Sequence, residues 1–398
     1  MQLRQRGVRL PSPAEEPYSD FPEPGRVTLP LLWGETPLVR TGERVFLGQK
    51  LADGAGEAVP VHASVSGTVA AIAPKLCADG KRWPAVVLDS DGGDRPDPAA
   101  RGCPLADGLS SEELFALLCE AGIREGGGRS LASVIESAGG CRTLICSAAD
   151  EEPFTLAEDA ALTAEPERVI GGLRLLMRLI RPEKTVLAVS AAQREAVRAA
   201  ARWLPRDGGL SMAVLPDRYP LTDPRRLAAM LCPDGEGTVV RASSAAAAEA
   251  AVYDGTPVTR QTVSVNWLTG QKVFSVPLGT PVSLVLAACG RPETEAVLGG
   301  PMTGRRLANW NVPVTKGMAG LTLLAAERDG RPGTACIRCG RCAAVCPAGL
   351  RPYLAARRRG GAAWENCLRC GACEYCCPAG RPLMEDIRRA GREAVRLG

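Results

Sequence analysis

Sixteen cysteines stand in the 398-residue sequence, and nine of them fall between Cys336 and Cys377. They form two runs of one pattern. The first is CIRCGRCAAVCP, with Cys336, Cys339, Cys342 and Cys346 followed by Pro347; the second is CLRCGACEYCCP, with Cys367, Cys370, Cys373 and Cys377 followed by Pro378. Both obey C-x2-C-x2-C-x3-C-P, a spacing that serves two iron–sulfur cubes at once. Three closely spaced thiolates on a tight loop reach three irons of one cube. The fourth, a helical turn further on, points away and ligates the other. The spacing therefore assigns one 4Fe-4S cluster to Cys336, Cys339, Cys342 and Cys377, and a second to Cys367, Cys370, Cys373 and Cys346. Structural zinc in two four-cysteine sites is the blander alternative, but zinc motifs rarely show this repeat ending in proline. Glycine follows the second cysteine of each run (Gly340, Gly371), where a bulky side chain would crowd the cube. Cys376, beside Cys377, breaks no spacing and is taken as a spectator. Two clusters held close together make a segment of wire, which needs a donor and an acceptor.

The rest of the chain offers fewer reactive groups. There is one histidine, His62, which removes multi-histidine zinc sites and Ser-His-Asp chemistry from consideration. It lies in a strand pattern and is expected to be structural. Seven cysteines (Cys77, Cys103, Cys119, Cys141, Cys146, Cys232, Cys289) lack ligand spacing and are expected as small buried hydrophobes. The basic run Arg357, Arg358, Arg359 between the cysteine runs is a solvated face or a dock for an acidic electron-transfer partner. Gly126, Gly127 and Gly128, before a helix-like run, could cradle a phosphate or be a plain connection. A net charge of +4 demands neither nucleic acid nor an anionic membrane. No apolar run of about 18 residues predicts a membrane span. The start, MQLRQRGVRLPSP, lacks a secretory signal, so a cytoplasmic location is expected, and in that compartment clustered cysteines bind metal sooner than they pair.

Several elements must position these groups. Residues 1–100 alternate short apolar runs with Pro and Gly, predicting small β structure; TGERVFLGQKLAD and VHASVSGTVAAI fit a barrel-sandwich of two packed hairpins. No lysine stands at the hairpin tip Ser66–Gly67, so no swinging lipoyl or biotin arm is expected. DGGDRPDPAARGCP reads as a linker. Helices and strands then alternate, from SSEELFALLCEAG through CRTLICSAA and KTVLAVS to LSMAVLP, predicting a parallel Rossmann-like sheet over 108–235. Beyond Gly235 the alternation ends. PVTRQTVSVNWLTGQKVFSVPLG predicts a hairpin turning at Thr269–Gly270, within a β-grasp-like module over 236–325. The cysteine-rich segment 326–398 has little reason to fold without its metal.

In that order the segments VHASVSGTV, LICSAADEEPFT, VLGGPMTG with VPVTKG, and CIRCGRCAAVCP resemble the RnfC family, a soluble component of ion-translocating ferredoxin:NAD+ oxidoreductases. The resemblance implies a multidomain α/β protein of four parts. These are an RnfC-type barrel-sandwich, a Rossmann-like domain of the complex I flavin-subunit type that holds FMN and meets NADH, a β-grasp (SLBB-like) module, and a two-cluster ferredoxin-like α+β tail. It places FMN and NADH against Gly126, Gly127, Gly128, Asp150 and Glu152. It also implies partners: the other components of an Rnf-like membrane complex or a ferredoxin, with the chain peripheral on the cytoplasmic face and no nucleic acid involved.

Four cofactor-facing stretches depart from the family pattern. Ser147 replaces an Asn in SAADEEPF. Arg129, Ser130, Leu131 and Ala132 replace the later residues of the glycine loop, and Glu136 stands about where a Lys should reach a phosphate. RYPLTDPRRLAAM lacks the expected glycines and Glu, and VVRASSAAAAEA lacks an Asn and a Gly. Two functions follow as expectations. The first is an enzyme component of a NADH:ferredoxin-type oxidoreductase (translocase), passing electrons between NAD(H)/FMN and a membrane or ferredoxin partner through the two clusters. The second is a flavin-less paralogue, an iron–sulfur adaptor or scaffold for another redox enzyme.

Overall fold

The computed structural model describes residues 7–8, 18–54, 57–204, 209–292, 294–323, 334–355 and 366–389. The basic run Arg357–Arg359 lies outside them. Near the N-terminus two antiparallel sheets face each other. One orders its strands Arg26–Pro30, Arg82–Ser90, Gly67–Leu76 and Arg44–Val45; the other orders Thr36–Pro37, Lys50–Asp53 and Val61–His62. Alternation along these strands turns Val27, Leu29, Leu51, Val69, Val86 and Leu88 into one dry core, which Val65 joins from a connecting bend. This is the expected barrel-sandwich. The segment expected as a linker carries no strand, yet it is pinned, with the Cys103 N–H donating to the Val252 carbonyl at 2.7 Å.

The parallel sheet has four strands in the order Leu210–Leu215, Lys184–Ser190, Thr143–Ser147 and Gly237–Arg241. Its helices are set by local chemistry. Ser110 and Glu113 form a capping box for Ser111–Glu120, and Pro166 begins Pro166–Ile180 as a first-turn proline. The fourth strand lies beyond the boundary expected at 235. The helix Ala242–Tyr253 that follows it packs back on the sheet, and it buries alanines around most of its circumference. Without an amphipathic stripe, such a helix gives no periodic signal.

A fourth, six-stranded sheet follows. It contains the expected hairpin, Arg260–Trp267 against Gly270–Pro277, and its edge strand is Tyr18–Asp20 from the start of the chain. Among the described residues the cysteine segment forms the short helices Arg341–Val345, Pro352–Ala355 and Ala372–Tyr375 and is helical again from 383, with Cys373, Leu383 and Met384 buried together. Among the described residues no helix is long and apolar enough to cross a membrane.

Candidate cluster centre and strand-end crevice

The two cysteine loops share one backbone conformation. Arg338 and Gly340 in the first, and Arg369 and Gly371 in the second, all take left-handed φ values of 55°, 75°, 58° and 74°. Each glycine caps the helix that carries the third cysteine. The glycines thus answer first to the backbone. A Cβ on Gly340 would meet no protein atom within 4 Å, whereas one on Gly371 would lie 2.5 Å from the Met302 carbonyl.

The fold gathers the thiols into two groups. A narrow recess is lined by Cys336, Cys339 and Cys342 of the first run and by Cys377 of the second, with Tyr353, Pro378, Ala379 and Leu383 closing its apolar walls. In the second group burial pushes the Cys370 thiol up to about 11, and the neighbouring Cys367 and Cys346 push it further in the same direction. Cys373 is raised more strongly, by burial and then by Cys370, Cys367 and Cys346. Each group therefore takes three thiols from one run and the last from the other. The cysteines disfavour one another's charge, so a quartet of thiolates here calls for cations between them. Among the described residues no three His, Cys, Asp or Glu side chains are placed to hold a metal ion. A cube differs in needing one thiolate per iron, spread over its corners. Soft sulfur donors in apolar surroundings, with N–H groups of Leu350 and Arg369 donating to Cys346 and Cys367 Sγ at 3.3 and 3.4 Å, fit such a cluster. Cys376 is raised to about 11, by burial and then by Cys342 and Cys377, so it stands as a fifth thiol near the first group.

The α/β domain holds the second loop in place. Tyr219 Oη donates to the Cys370 carbonyl at 2.6 Å, and Arg225 Nη2 to the Leu368 carbonyl at 2.9 Å. Arg226 lies near Cys370 and Cys346, and its buried Nε finds no acceptor among the described residues. None of the three was expected as a site residue, because nothing in their local sequence points at a loop so distant in the chain.

In an open parallel sheet the ligand crevice lies beyond the carboxyl ends of the strands where the strand order reverses. Here that point falls between Thr143–Ser147 and Gly237–Arg241. The crevice is occupied by the chain's own charges. Arg241 Nη2 and Nε donate to Glu151 Oε1 at 2.7 and 3.2 Å, and the Arg241 N–H donates to both oxygens of Glu125 at 3.2 Å. Glu158 accepts from the Ser243 N–H and hydroxyl, both at 2.8 Å, and so caps Ala242–Tyr253. Burial pushes Glu125 up to about 7 and raises Glu158, although Arg241 opposes both shifts.

The residues expected to face FMN and NADH have other partners. Asp150 accepts from the N–H groups of Ala157 and Glu158 through one oxygen and of Asp159 through the other, at 2.8, 3.3 and 3.2 Å, which caps Ala157–Ala164. Glu152 accepts from the Met302 N–H at 3.1 Å and from the Thr303 hydroxyl. Gly126, Gly127 and Gly128 form a tight turn in which Gly127 and Gly128 take left-handed φ values of 71° and 84°. A Cβ on Gly126 would lie 3.1 Å from both Arg241 Nη2 and Glu151 Oε1, and one on Gly128 would lie 3.0 Å from the Trp33 ring. The N-terminal barrel also grips this loop. Glu57 accepts from the Ser130 N–H at 2.6 Å, and Arg124, lying over Trp33 at 4.5 Å, donates to the carbonyls of Gly128 and Glu57. Lys316 Nζ donates to the carbonyls of Pro60 and Gly122 at 2.9 and 2.7 Å, and burial holds it down to about 7.

A flavin phosphate needs unpaired N–H donors and a positive field. The N–H at Ser130 is already taken by a carboxylate, and the crevice faces carboxylates with one arginine that they engage. These residues do not fit that group. Arg241, which sequence reasoning did not single out, is the largest reason. Its signal was present in VVRASSAAAAEA, the stretch that departs from the family pattern in lacking an Asn and a Gly.

Three family models match the chain. An RnfC barrel sandwich hybrid domain matches residues 6–93, a Nuo51 FMN-binding domain matches 118–254, and a 4Fe-4S dicluster domain matches 329–387. The C subunit of the Na(+)-translocating ferredoxin:NAD(+) oxidoreductase complex of Acetobacterium woodii is 30% identical over 370 residues, covering 86% of this chain and 83% of that protein. The C subunits of the ion-translocating oxidoreductase complexes of Serratia proteamaculans and Yersinia pseudotuberculosis serotype O:3 are each 32% identical, over 84% of this chain and 51% and 52% of theirs. The chain thus spans about half the length of these two curated relatives. Among solved structures, an NAD+-reducing NiFe-hydrogenase in the H2-reduced state superposes with a TM-score of 0.47 at 18% identity, covering 68% of this chain and 52% of that one.

Proposed function

The chain belongs to the RnfC family, and on that premise we propose that it passes electrons singly through two 4Fe-4S clusters within an Rnf-type complex. Cys336, Cys339, Cys342 and Cys377 would hold one cluster, and Cys367, Cys370, Cys373 and Cys346 the other. The observation that carries this reading is the crossed grouping of thiols, three from one run with the last of the other. When bound there, the clusters supply reversible one-electron chemistry. The chain's own residues supply the rest. Its peptide N–H groups donate to sulfur and hold charge on it, and Tyr219 and Arg225 fix the second loop against the α/β domain.

The Acetobacterium woodii relative works between ferredoxin and NAD(+). By that likeness the partners of this chain are the other components of such a complex or a ferredoxin, and its place is peripheral, on the cytoplasmic face of the membrane. The six-stranded sheet serves as the β-grasp (SLBB-like) module, beginning after the helix Ala242–Tyr253. The test is electron transfer itself. Anaerobic protein reduced by dithionite and freed of excess reductant should be reoxidised by membranes carrying the rest of the complex. A chain whose Cys336 and Cys367 are both replaced by Ala should not respond. Equal electron delivery by that variant would overturn the reading.

A further inference from the structure

The occupied crevice of the α/β domain bears on where those electrons come from. Several sides that could face a flavin present groups of the chain already engaged. The end of Thr143–Ser147 contributes Asp150 and Glu151, one capping a helix and the other paired with Arg241. The end of Gly237–Arg241 contributes Arg241 itself and the helix start at Ser243, which Glu158 caps. The approach to the glycine turn contributes Glu125, and beyond that turn Glu57 holds the Ser130 N–H. The barrel closes the loop from outside with Trp33 and Arg124, and Lys316 ties Gly122 to Pro60. Six carboxylates, Glu35, Glu57, Glu125, Asp150, Glu151 and Glu158, meet this region, and the cations beside them, Arg124, Arg129, Arg241 and Lys316, donate to partners within the chain. An added phosphate dianion would have to displace these internal pairings and approach carboxylates in partly dehydrated surroundings, where like charges repel strongly.

We infer that in this chain the crevice has become an internal joint, seating the N-terminal barrel on the glycine turn, and that it holds no flavin. The electrons therefore enter through the clusters. A reduced protein carrier loses one electron, a cluster gains it, and no hydride or proton is exchanged with the chain. This rests on the two-cluster reading above, while its own decisive readout is independent of iron.

The experiment uses the full chain, purified anaerobically from cells replete in riboflavin. Iron and acid-extracted flavin are measured on the same sample, and FMN uptake is then measured by equilibrium dialysis. The inference predicts no extractable flavin and no FMN uptake. It also predicts clusters that bleach with reduced methyl viologen, a one-electron donor, but not with NADH. Stoichiometric flavin, saturable FMN uptake or bleaching by NADH would overturn it, whatever the iron content. Absence of iron would instead sink the two-cluster reading. As a check on the joint, Arg241→Asn should lower the unfolding temperature without raising FMN uptake; flavin uptake gained by that variant would show the arginine to be the lock, and unchanged stability would contradict its structural role.

Discussion

At the scale of single residues, Cys377 carries the sharpest consequence of the crossed arrangement, because it belongs to the second run yet lines the recess of the first. Cys377→Ala should disturb the cluster held mainly by the first run, and Cys346→Ala the one held by the second. Iron analysis with electron paramagnetic resonance of the reduced proteins would show which signal is lost; loss of the mutated run's own signal would contradict crossed ligation. His62 gives a second prediction. Burial, then Lys316 and Lys50, hold its pKa down to about 3 from an ordinary 6.5, and its Nδ1 has no partner among the described residues. The unfolded chain therefore binds a proton that the folded chain refuses. The cost is absent above pH 6.5 and grows as pH falls toward about 3, reaching on the order of 3 kcal/mol near pH 4. Denaturant melts at several pH values should show this acid loss, and His62→Gln should flatten it. Residue identity made the cluster ligands legible, since thiol spacing is a local property. Asp150 and Glu152 were legible as acidic but not in role, because a carboxylate that caps a helix and one that faces a ligand look alike in sequence.

At the scale of elements, the two cysteine loops are near copies set in different surroundings. Gly340→Ala and Gly371→Ala should both pay for a left-handed backbone, about 1 kcal/mol. Only the second also forces a Cβ into the Met302 carbonyl, so Gly371→Ala should be clearly the less stable of the two by thermal melt, and equal losses would count against the packing described. Arg226 projects from the helix Pro224–Leu231 toward Cys370 and Cys346. A cation beside one cluster favours its reduced, more negative state. Arg226→Gln should lower the midpoint potential of that cluster in a redox titration and leave the other unmoved; a shift of both, or of neither, would remove Arg226 from this role. The elements themselves were largely legible where amphipathic or alternating patterns existed. The strand Gly237–Arg241 and the alanine helix after it were not, because a short strand and a helix buried nearly all round show no period.

At the scale of the whole molecule, the joint at the glycine turn binds the N-terminal barrel to the α/β domain through Trp33, Glu57, Arg124 and Lys316. Trp33→Ala removes the ring that covers Gly128 and supports Arg124. Trp33 is half exposed, and loss of such a contact costs about 1 kcal/mol, so limited proteolysis should release the barrel somewhat sooner in the variant, with cluster content unchanged. Domain order was legible from motif order, but the joint was not, since it is made by residues from distant segments meeting at one turn. The central claim is that this chain is a two-cluster relay, and direct metal analysis of the anaerobically purified protein tests it most simply. The account predicts about eight irons and eight inorganic sulfides per chain, from two cubes, with reduced-state resonance signals broadened by a nearby paramagnet. Zinc in place of iron, or a single isolated cluster, would contradict it.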